Sequence, residues 1–270
     1  MRSFCYIIGL ILSLACWSCE EVVEVDVDTA PPRLVAEASI NWTTDTDGRL
    51  QRITLTQTTP YFESLPSPAT GATVYIENTE GQRYDFIEDG TSGIYTSDEF
   101  TAQLDMSYTL SIQYQEELYQ ATESMVTVTD LAYITQNDGS VFSNDYIELK
   151  AYFKDPVEEE NYYFYKFEAP NDHTINVTED RLLNGNEMFG IFVSEEIKKG
   201  DQVKVSLYGV SKQYYNYMYT LISQSGESMG PFITQPATVK GNILNISNPE
   251  NFALGFFRVS QEDTYTYVVD

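Results

Sequence analysis

The stretch SYTLSIQY, residues 107–114, alternates apolar or aromatic side chains with polar ones along its whole length. Successive side chains of a β-strand point to opposite faces of the sheet, so every second residue falls on the same face. The apolar face consists of Tyr108, Leu110, Ile112 and Tyr114. One apolar and one polar face is typical of a strand in an antiparallel sheet that covers a core on one side.

The same alternation recurs N-terminal to this stretch. It is found in RITLTQT at residues 52–58 and in ATVYIEN at residues 72–78. Glycine-containing turn signals lie at short intervals in this part of the chain, namely at Asp47-Gly48, Glu80-Gly81, Asp89-Gly90 and Ser92-Gly93. Many short strands at this spacing predict a β-sandwich over residues 33–129.

The second half repeats the strand pattern with more aromatic residues. YIELKAYF at residues 146–153 has one apolar face, made by Ile147, Leu149, Ala151 and Phe153. NYYFYKFE at residues 161–168 is so aromatic that the pattern fits burial of either face. We therefore predict a second β-rich domain over residues 130–270.

One segment of the second half has a helical period instead. In VSKQYYNYMYTLISQSGES, residues 210–228, the apolar positions recur at helical spacing, at Tyr214, Tyr217, Met218 and Leu221. Ser211 suits an N-cap and Gly226 suits a helix stop. The pattern predicts a helix near residues 211–224 that packs on the second sheet.

The charge of the chain restricts its partners. The 270 residues include 41 acidic and 15 basic ones, and the net charge is −26. A surface with this much negative charge repels nucleic-acid phosphates and anionic lipid headgroups. We therefore expect no nucleic-acid partner. The 21 tyrosines favour a folded, strand-rich body over a disordered acidic chain.

The N-terminal residues GLILSLACWSCEE, 9–21, join a short apolar run to two cysteines and two glutamates. The run is too short to span a membrane and follows one basic residue, Arg2, as in a secretory signal. Small residues before the cysteines predict a lipoprotein signal peptide over residues 1–18, with acylation of Cys19. Acylation of Cys16, or a simple cleaved signal, is the alternative.

An acidic tether, residues 19–32, follows the predicted cleavage site and ends at Pro31-Pro32. All three cysteines of the sequence precede residue 20, so the body is expected to contain neither a disulfide nor a cysteine-based metal site. One cysteine that carries several acyl chains, palmitate among them, holds a protein firmly on a membrane. Membrane lipid is therefore the first expected partner, through Cys19.

Residues for catalysis are sparse. His173 is the only histidine, and we interpret it as a loop residue rather than as part of a Ser–His–Asp triad. The many carboxylates permit an acid–base pair as in glycosidases, but no spacing singles one out. A calcium ion shared by some of Asp155, Glu158, Glu159 and Glu160 is an alternative to a bare acidic loop. Phosphate-binding glycine loops are absent from the sequence, and no cofactor is expected.

Tyrosine is more abundant than two small cores need, so some tyrosines are expected at an interface. The segments NYYFYK and KQYYNYMY offer amphipathic rings of the kind found at interface centres. The strand and the helix would each leave some of these rings facing away from the core. The candidate interface residues are Tyr162, Tyr165, Tyr215 and Tyr219.

An ordered series of segments covers nearly the whole chain and includes SCEEVVEVDVD, ATGATVYIEN, FKDPVEEENYYFYKFE, KKGDQVKVSLYGVS and LGFF. The series resembles the Bacteroidota lipoprotein family catalogued as domain-of-unknown-function family 4249. The resemblance implies an outer-membrane lipoprotein, often encoded beside TonB-dependent transporters, with no established catalytic residues. In such lipoproteins acidic residues after the acylated cysteine direct export to the cell surface, and Glu20 and Glu21 lie at that place.

The segment GATVYIEN, with Gly81 and Tyr84 after it, also resembles transthyretin-like sandwiches. We therefore expect a mainly β protein with a transthyretin- or immunoglobulin-like sandwich and a second β-rich domain that carries one helix. Its expected function is that of a non-enzymatic, surface-exposed accessory protein that helps a TonB-dependent transporter to capture a ligand. A free-standing glycan-binding or adhesion module is the first alternative, and a carboxylate-dependent hydrolase is the second.

Overall fold

The computed structural model of the protein describes residues 30–60, 65–139, 146–157, 159–225 and 238–270. Several sequence predictions lie outside the described residues, namely the signal peptide, acylation at Cys19 or Cys16, the export signal Glu20 and Glu21, and the helix stop at Gly226. No helix within the described ranges is long and apolar enough to cross a membrane.

The first half consists of short strands, as the alternating segments predict. In chain order they are β1 (Leu34–Thr43), β2 (Gln51–Gln57), β3 (Ser67–Pro68), β4 (Thr73–Asn78), β5 (Arg83–Glu88), β6 (Ile94–Ser97), β7 (Ser107–Tyr114) and β8 (Glu117–Ser124). The stretch at residues 107–114 forms the whole of β7, and its apolar side chains are buried.

The second half contains longer strands and a helix. In chain order the elements are β9 (Leu131–Asp138), β10 (Ile147–Lys154), β11 (Tyr162–Glu168), β12 (His173–Glu179), β13 (Glu187–Ser194), β14 (Gln202–Gly209), α1 (Lys212–Gln224), β15 (Leu244–Asn245) and β16 (Leu254–Val268). The helix begins after an N-cap at Ser211, whose side chain accepts a hydrogen bond from the Tyr214 N–H, as the sequence predicts.

One continuous sheet connects the two halves. Its strand order is β12-β11-β14-β16-β1-β2-β6-β5-β4-β7-β8-β15, and β3 pairs with β2. The pairing is antiparallel except between β1 and β16, which run parallel with Ala38 opposite Phe257. A second sheet has the order β13-β10-β9.

The β1–β8 part of the long sheet closes on itself as a sandwich. Inward side chains of β1 and β2 share one buried cluster with those of β4 and β7, for example Ala36, Leu55, Ile76 and Leu110. The mainly β fold with an N-terminal sandwich is thereby confirmed. Phe257 and Val259 of β16 also belong to this cluster, so the last strand contributes to the core of the sandwich although it follows residue 129 in the sequence.

The second half has three layers. Helix α1 packs on one face of the β12-β11-β14-β16 part of the long sheet, and the three-stranded sheet packs on the opposite face. Strand β11 lies in the middle layer. Its side chains Tyr162 and Phe164 join the helix-side cluster, whereas Tyr163, Tyr165 and Phe167 join the cluster under the three-stranded sheet. Both faces of β11 are therefore buried.

Candidate binding surfaces

Three aromatic side chains form a row across the outer face of the three-stranded sheet. Tyr152 of β10 lies opposite Tyr133 of β9 and Phe189 of β13 in the strand register. The Tyr133 and Tyr152 rings stack, with centroids 4.7 Å apart and an interplanar angle of 15°, and the Tyr152 and Phe189 centroids are 5.3 Å apart. We call Tyr133, Tyr152 and Phe189 the aromatic row.

The row faces outward because β10 is amphipathic. Leu149, Ala151 and Phe153 point into the second core, so the residues between them must point away from it. Tyr133 and Phe189 are 42 % and 47 % exposed, and Tyr152 between them is partly buried. At a strand spacing of about 4.8 Å the row spans roughly 10 Å. A rigid apolar platform of this width can hold an apolar side chain or a flat ring.

Charged groups border the aromatic row on the same face. Lys150 Nζ lies 5.4 Å from the Phe189 ring centroid and 2.8 Å from the Glu148 carboxylate. The hydrogen bond from Lys150 lowers the pKa of Glu148. The Tyr133 hydroxyl donates to Glu187 at 3.1 Å. An apolar centre inside a polar rim is the usual composition of a protein interface.

Two of the four tyrosines predicted for an interface are core residues. Tyr162 and Tyr165 are each 6 % exposed, because one face of β11 is covered by α1 and the other by the three-stranded sheet. They are therefore not accessible to a partner. Tyr215 is partly buried and Tyr219 is 60 % exposed, with their ring centroids 6.0 Å apart on α1. Tyr219 stays a candidate.

Sequence reasoning missed the aromatic row, although one signal for it was present. The alternation of residues 146–153 assigns Leu149 and Phe153 to the core, and by the same period it assigns Tyr152 to the outer face. The partners of Tyr152 depend on the register of β9 and β13. Register between distant strands is set by tertiary packing, so Tyr133 and Phe189 could not be paired with Tyr152 from the sequence.

A second apolar surface surrounds Phe252. The Arg33 guanidinium and the Lys240 ammonium lie 3.8 Å and 3.7 Å from its ring centroid. Leu244 and Ile246 are 64 % and 54 % exposed, and with Phe252 and Lys240 they line a groove of about 460 Å³. Two cations thus lie on one ring in a chain whose net charge is −26.

A carboxylate holds the loop beside this groove in place. Glu117 accepts hydrogen bonds from the Tyr119 hydroxyl at 2.7 Å and from the side-chain amides of Asn245, Asn248 and Asn251. These donors, Tyr119 foremost, lower the pKa of Glu117 to about 2. The carboxylate is therefore charged at neutral pH, and its hydrogen bonds to the asparagine side chains hold the loop and with it the shape of the groove.

His173 begins β12 and is exposed, next to the loop in which the sequence placed it. It lines a groove of about 290 Å³ with Ile175 of β12 and apolar residues of α1. The neighbouring Asp172 carboxylate accepts hydrogen bonds from the His173 backbone N–H and from Ser194 Oγ. These contacts join Ser194 to Asp172 directly, whereas a triad would place the histidine ring between them.

The acidic residues named as calcium candidates do not share one site. Asp155 is 1 % exposed and points inward, whereas Glu159 and Glu160 are exposed, and Glu158 lies outside the described residues. Within the described ranges, no three acidic, histidine or cysteine side chains lie together as a metal site.

Comparison with known proteins identifies one family. The model of the family described as "Domain of unknown function (DUF4249)" matches residues 20–266. No curated protein matches the sequence.

Several solved structures are similar over about two thirds of the chain. A DUF4785 family protein from Legionella pneumophila is 8 % identical with a TM-score of 0.25, over 65 % of this chain and 52 % of that one. A two-domain fibronectin type-III segment of chicken tenascin is 13 % identical with a TM-score of 0.20, over 68 % and 89 %. The FN1–FN3 domains of chicken CNTN1 are 10 % identical with a TM-score of 0.25, over 68 % and 64 %. The chain thus spans about half the length of the Legionella structure.

Proposed function

We propose that this chain, which belongs to the DUF4249 family, is a non-enzymatic lipoprotein of the bacterial outer-membrane surface, of the Bacteroidota type. In this proposal its body binds the barrel of a TonB-dependent transporter and helps that transporter to capture a ligand. The observation that carries the proposal is the aromatic row, a rigid apolar platform on a body that is otherwise strongly acidic.

The aromatic row has the properties of an interface centre. Aromatic side chains are enriched among the residues that dominate binding energy, especially where they are surrounded by polar groups that exclude water. Tyr133 and Phe189 are more than two fifths exposed, and the sheet fixes their positions before a partner arrives. Little side-chain entropy is then lost on binding, which favours affinity.

The proposed anchor lowers the affinity that this surface needs. Acylation of Cys19 would leave 32 − 19 = 13 residues of tether before Arg33. Thirteen extended residues reach roughly 45 Å at about 3.4 Å each. A body confined this close to the membrane has a high effective concentration near a barrel in the same membrane, so modest intrinsic affinity suffices.

Two variants of the N-terminus test the anchor and the proposed cell-surface location. Cys19→Ala should abolish palmitate labelling, and continued labelling would move the anchor to Cys16. Replacing both Glu20 and Glu21 with Ala should protect the body from protease added to intact cells, because the protein would stay on the periplasmic side. Equal digestion of both forms would remove the export role of the two glutamates.

Affinity capture tests the partner. The outer membrane is solubilised gently, the protein is recovered through a C-terminal tag, and the barrel recovered with it is quantified. Tyr152→Ala should reduce the recovered barrel roughly 30-fold, since loss of a central aromatic residue costs about 2 kcal/mol or more. Tyr75→Ala is the matched control, because Tyr75 is a partly buried tyrosine of β4 in the first half of the chain. Absence of any barrel with the wild-type protein would refute the transporter proposal.

A glycan-binding module is the second candidate function, and the parallel stacking of Tyr133 and Tyr152 favours it. The stack fixes the orientation of the Tyr133 ring, which is 42 % exposed, and a sugar ring can pack on the face of Tyr133 that Tyr152 does not cover. Binding to a glycan array that is lost in Tyr133→Ala, without a barrel in the affinity capture, would replace the transporter proposal with this one.

A further inference from the structure

Two buried carboxylates, Asp155 and Asp180, lie in the connections on either side of β11 and β12. They are 1 % and 0 % exposed. Asp155 accepts hydrogen bonds from the Tyr163 hydroxyl at 2.5 Å and from the Gly185 N–H at 2.8 Å. Within the described residues, neither carboxylate forms an ion pair with lysine, arginine or histidine. Buried carboxylates are costly unless a cation or a full set of donors compensates them.

The Asp180 carboxylate lacks such a set. Its Oδ2 accepts a hydrogen bond from the Asn161 N–H at 2.9 Å, but its Oδ1 is buried and has no partner among the described residues. The side-chain Oδ1 of Asn161 is buried without a partner as well. A fully buried carboxylate oxygen without a donor, Asp180 Oδ1, is the feature that calls for a ligand.

Strand pairing brings these groups to one side of the sheet. Asn161 and Asp180 continue the β11–β12 ladder one position beyond the pair of Tyr162 and Glu179, and the Asp180 N–H donates to the Asn161 carbonyl at 3.2 Å. Opposite residues of an antiparallel pair point to the same face of the sheet, and so do residues two positions apart on one strand. Asn161 and Asp180 therefore share the face of Tyr163, whose hydroxyl contacts Asp155.

Backbone contacts agree with this placement. The loop that begins at Asp180 lies against Asp155, because the Gly185 N–H donates to the Asp155 carboxylate at 2.8 Å and the Asp155 N–H donates to the Asn186 carbonyl at 3.1 Å. The loops that carry the two carboxylates also meet, since the Asn184 side-chain amide donates to the Glu159 carbonyl at 3.4 Å.

We propose that Asp180, Asn161 and Asp155 form the core of a binding site for a divalent cation, with Ca²⁺ as the best fit. The available donors are carboxylate and amide oxygens, which hard cations prefer. Ca²⁺ accepts irregular geometry and completes its shell with backbone carbonyls and water, whereas Mg²⁺ demands a near-ideal octahedron. With two carboxylates rather than three or four, the expected dissociation constant is about 10⁻⁴ to 10⁻³ M, as in extracellular calcium modules.

Terbium luminescence and thermal unfolding of the full chain test the proposal. Tb³⁺ is a luminescent substitute for Ca²⁺, and light absorbed by Tyr163 beside the site would excite it. We expect tyrosine-sensitised Tb³⁺ emission that CaCl₂ displaces. Saturating CaCl₂ should raise Tm over the EDTA-treated protein by about 5 °C or more, because a ligand specific for the folded state stabilises it.

Three variants separate this site from diffuse attraction of cations to an acidic surface. Asp180→Asn should abolish both the emission and the Tm increase. Glu159→Gln, which removes an exposed charge from the neighbouring loop, should leave both unchanged. Asn161→Asp adds a carboxylate and should lower the apparent Ca²⁺ dissociation constant several-fold. An unchanged wild-type Tm with CaCl₂, or equal emission from wild type and Asp180→Asn, would overturn the proposal. If Asp180→Asn fails to fold, the Asn161→Asp titration decides.

Discussion

Strand β11 and the aromatic row both present several aromatic side chains, yet their surroundings are opposite. In β11 every side chain from Tyr162 to Tyr165 is at most 6 % exposed, because α1 covers one face and the three-stranded sheet covers the other. In the aromatic row, by contrast, Tyr133 and Phe189 are 42 % and 47 % exposed on a sheet face that no other described element covers.

Aromatic content alone therefore does not identify a binding surface in this protein. The number of layers that cover a strand determines whether its aromatic side chains are exposed. A strand in a middle layer buries both faces and needs apolar side chains at nearly every position, whereas a strand in an outer layer buries one face only. The strongly aromatic β11 is therefore core, and the accessible rings Tyr133 and Phe189 belong to β9 and β13, which are less aromatic.

The largest effect is expected from Phe167, which is fully buried in β11 and stacks on Phe192 with centroids 5.5 Å apart. Phe167→Ala should lower the free energy of unfolding by about 3–5 kcal/mol, because it removes a large side chain from a packed core. Phe189→Ala in the aromatic row should cost less than about 1 kcal/mol. Urea unfolding of the two variants measures the difference. Equal costs would contradict the contrast in burial.

The next largest effect is expected where β11 and the three-stranded sheet that carries the aromatic row are in contact. An added Cβ at Gly190 of β13 would lie 3.1 Å from the Tyr165 ring of β11, so the sheets are in contact through a glycine. Gly190→Val should destabilise the fold by about 1–3 kcal/mol through overpacking. Ile191→Val, next along the strand, is the control and should change the urea midpoint only slightly. A stable Gly190→Val variant would show that the two layers can separate without cost.

An effect of similar size distinguishes two tyrosine hydroxyls. The Tyr163 hydroxyl donates to the buried Asp155, whereas the Tyr133 hydroxyl donates to Glu187 on the exposed face. Tyr163→Phe should cost about 1–3 kcal/mol, because it removes a donor from a buried carboxylate. Tyr133→Phe should cost less than about 0.5 kcal/mol, since water replaces the lost donor. Chemical denaturation at neutral pH distinguishes the two, and similar values would mean that Asp155 finds another donor.

The smallest effect concerns pH at the rim of the aromatic row. Lys150 lowers the pKa of Glu148. A carboxylate whose pKa is lower in the folded state stabilises the fold above its unfolded pKa of about 4.3 and loses that contribution as pH falls through the folded value. Glu148→Gln should therefore cost about 0.5 kcal/mol or less at neutral pH and a smaller amount at about pH 3. If the urea midpoints of the wild type and Glu148→Gln differ by the same amount at both pH values, the ion pair contributes nothing to stability.

Several features of the protein were readable from local sequence. The alternation in residues 107–114 predicts β7 and its buried face, because a period of two is a property of the strand itself. The helical period and Ser211 predict α1, because the N-cap and the apolar positions are local as well. The family resemblance likewise needed only the order of short segments.

The features that tertiary structure decided all depend on contacts between distant residues. The parallel pair of β1 and β16 joins the ends of the described chain, and no local pattern specifies it. The aromatic row needs the register of three strands, and the burial of Tyr162 and Tyr165 needs two covering layers. The segment NYYFYKFE would show the same local pattern whether one face of the strand or both faces were covered. Local sequence fixes which faces a strand has, but only the packing of other elements determines which of those faces meets water.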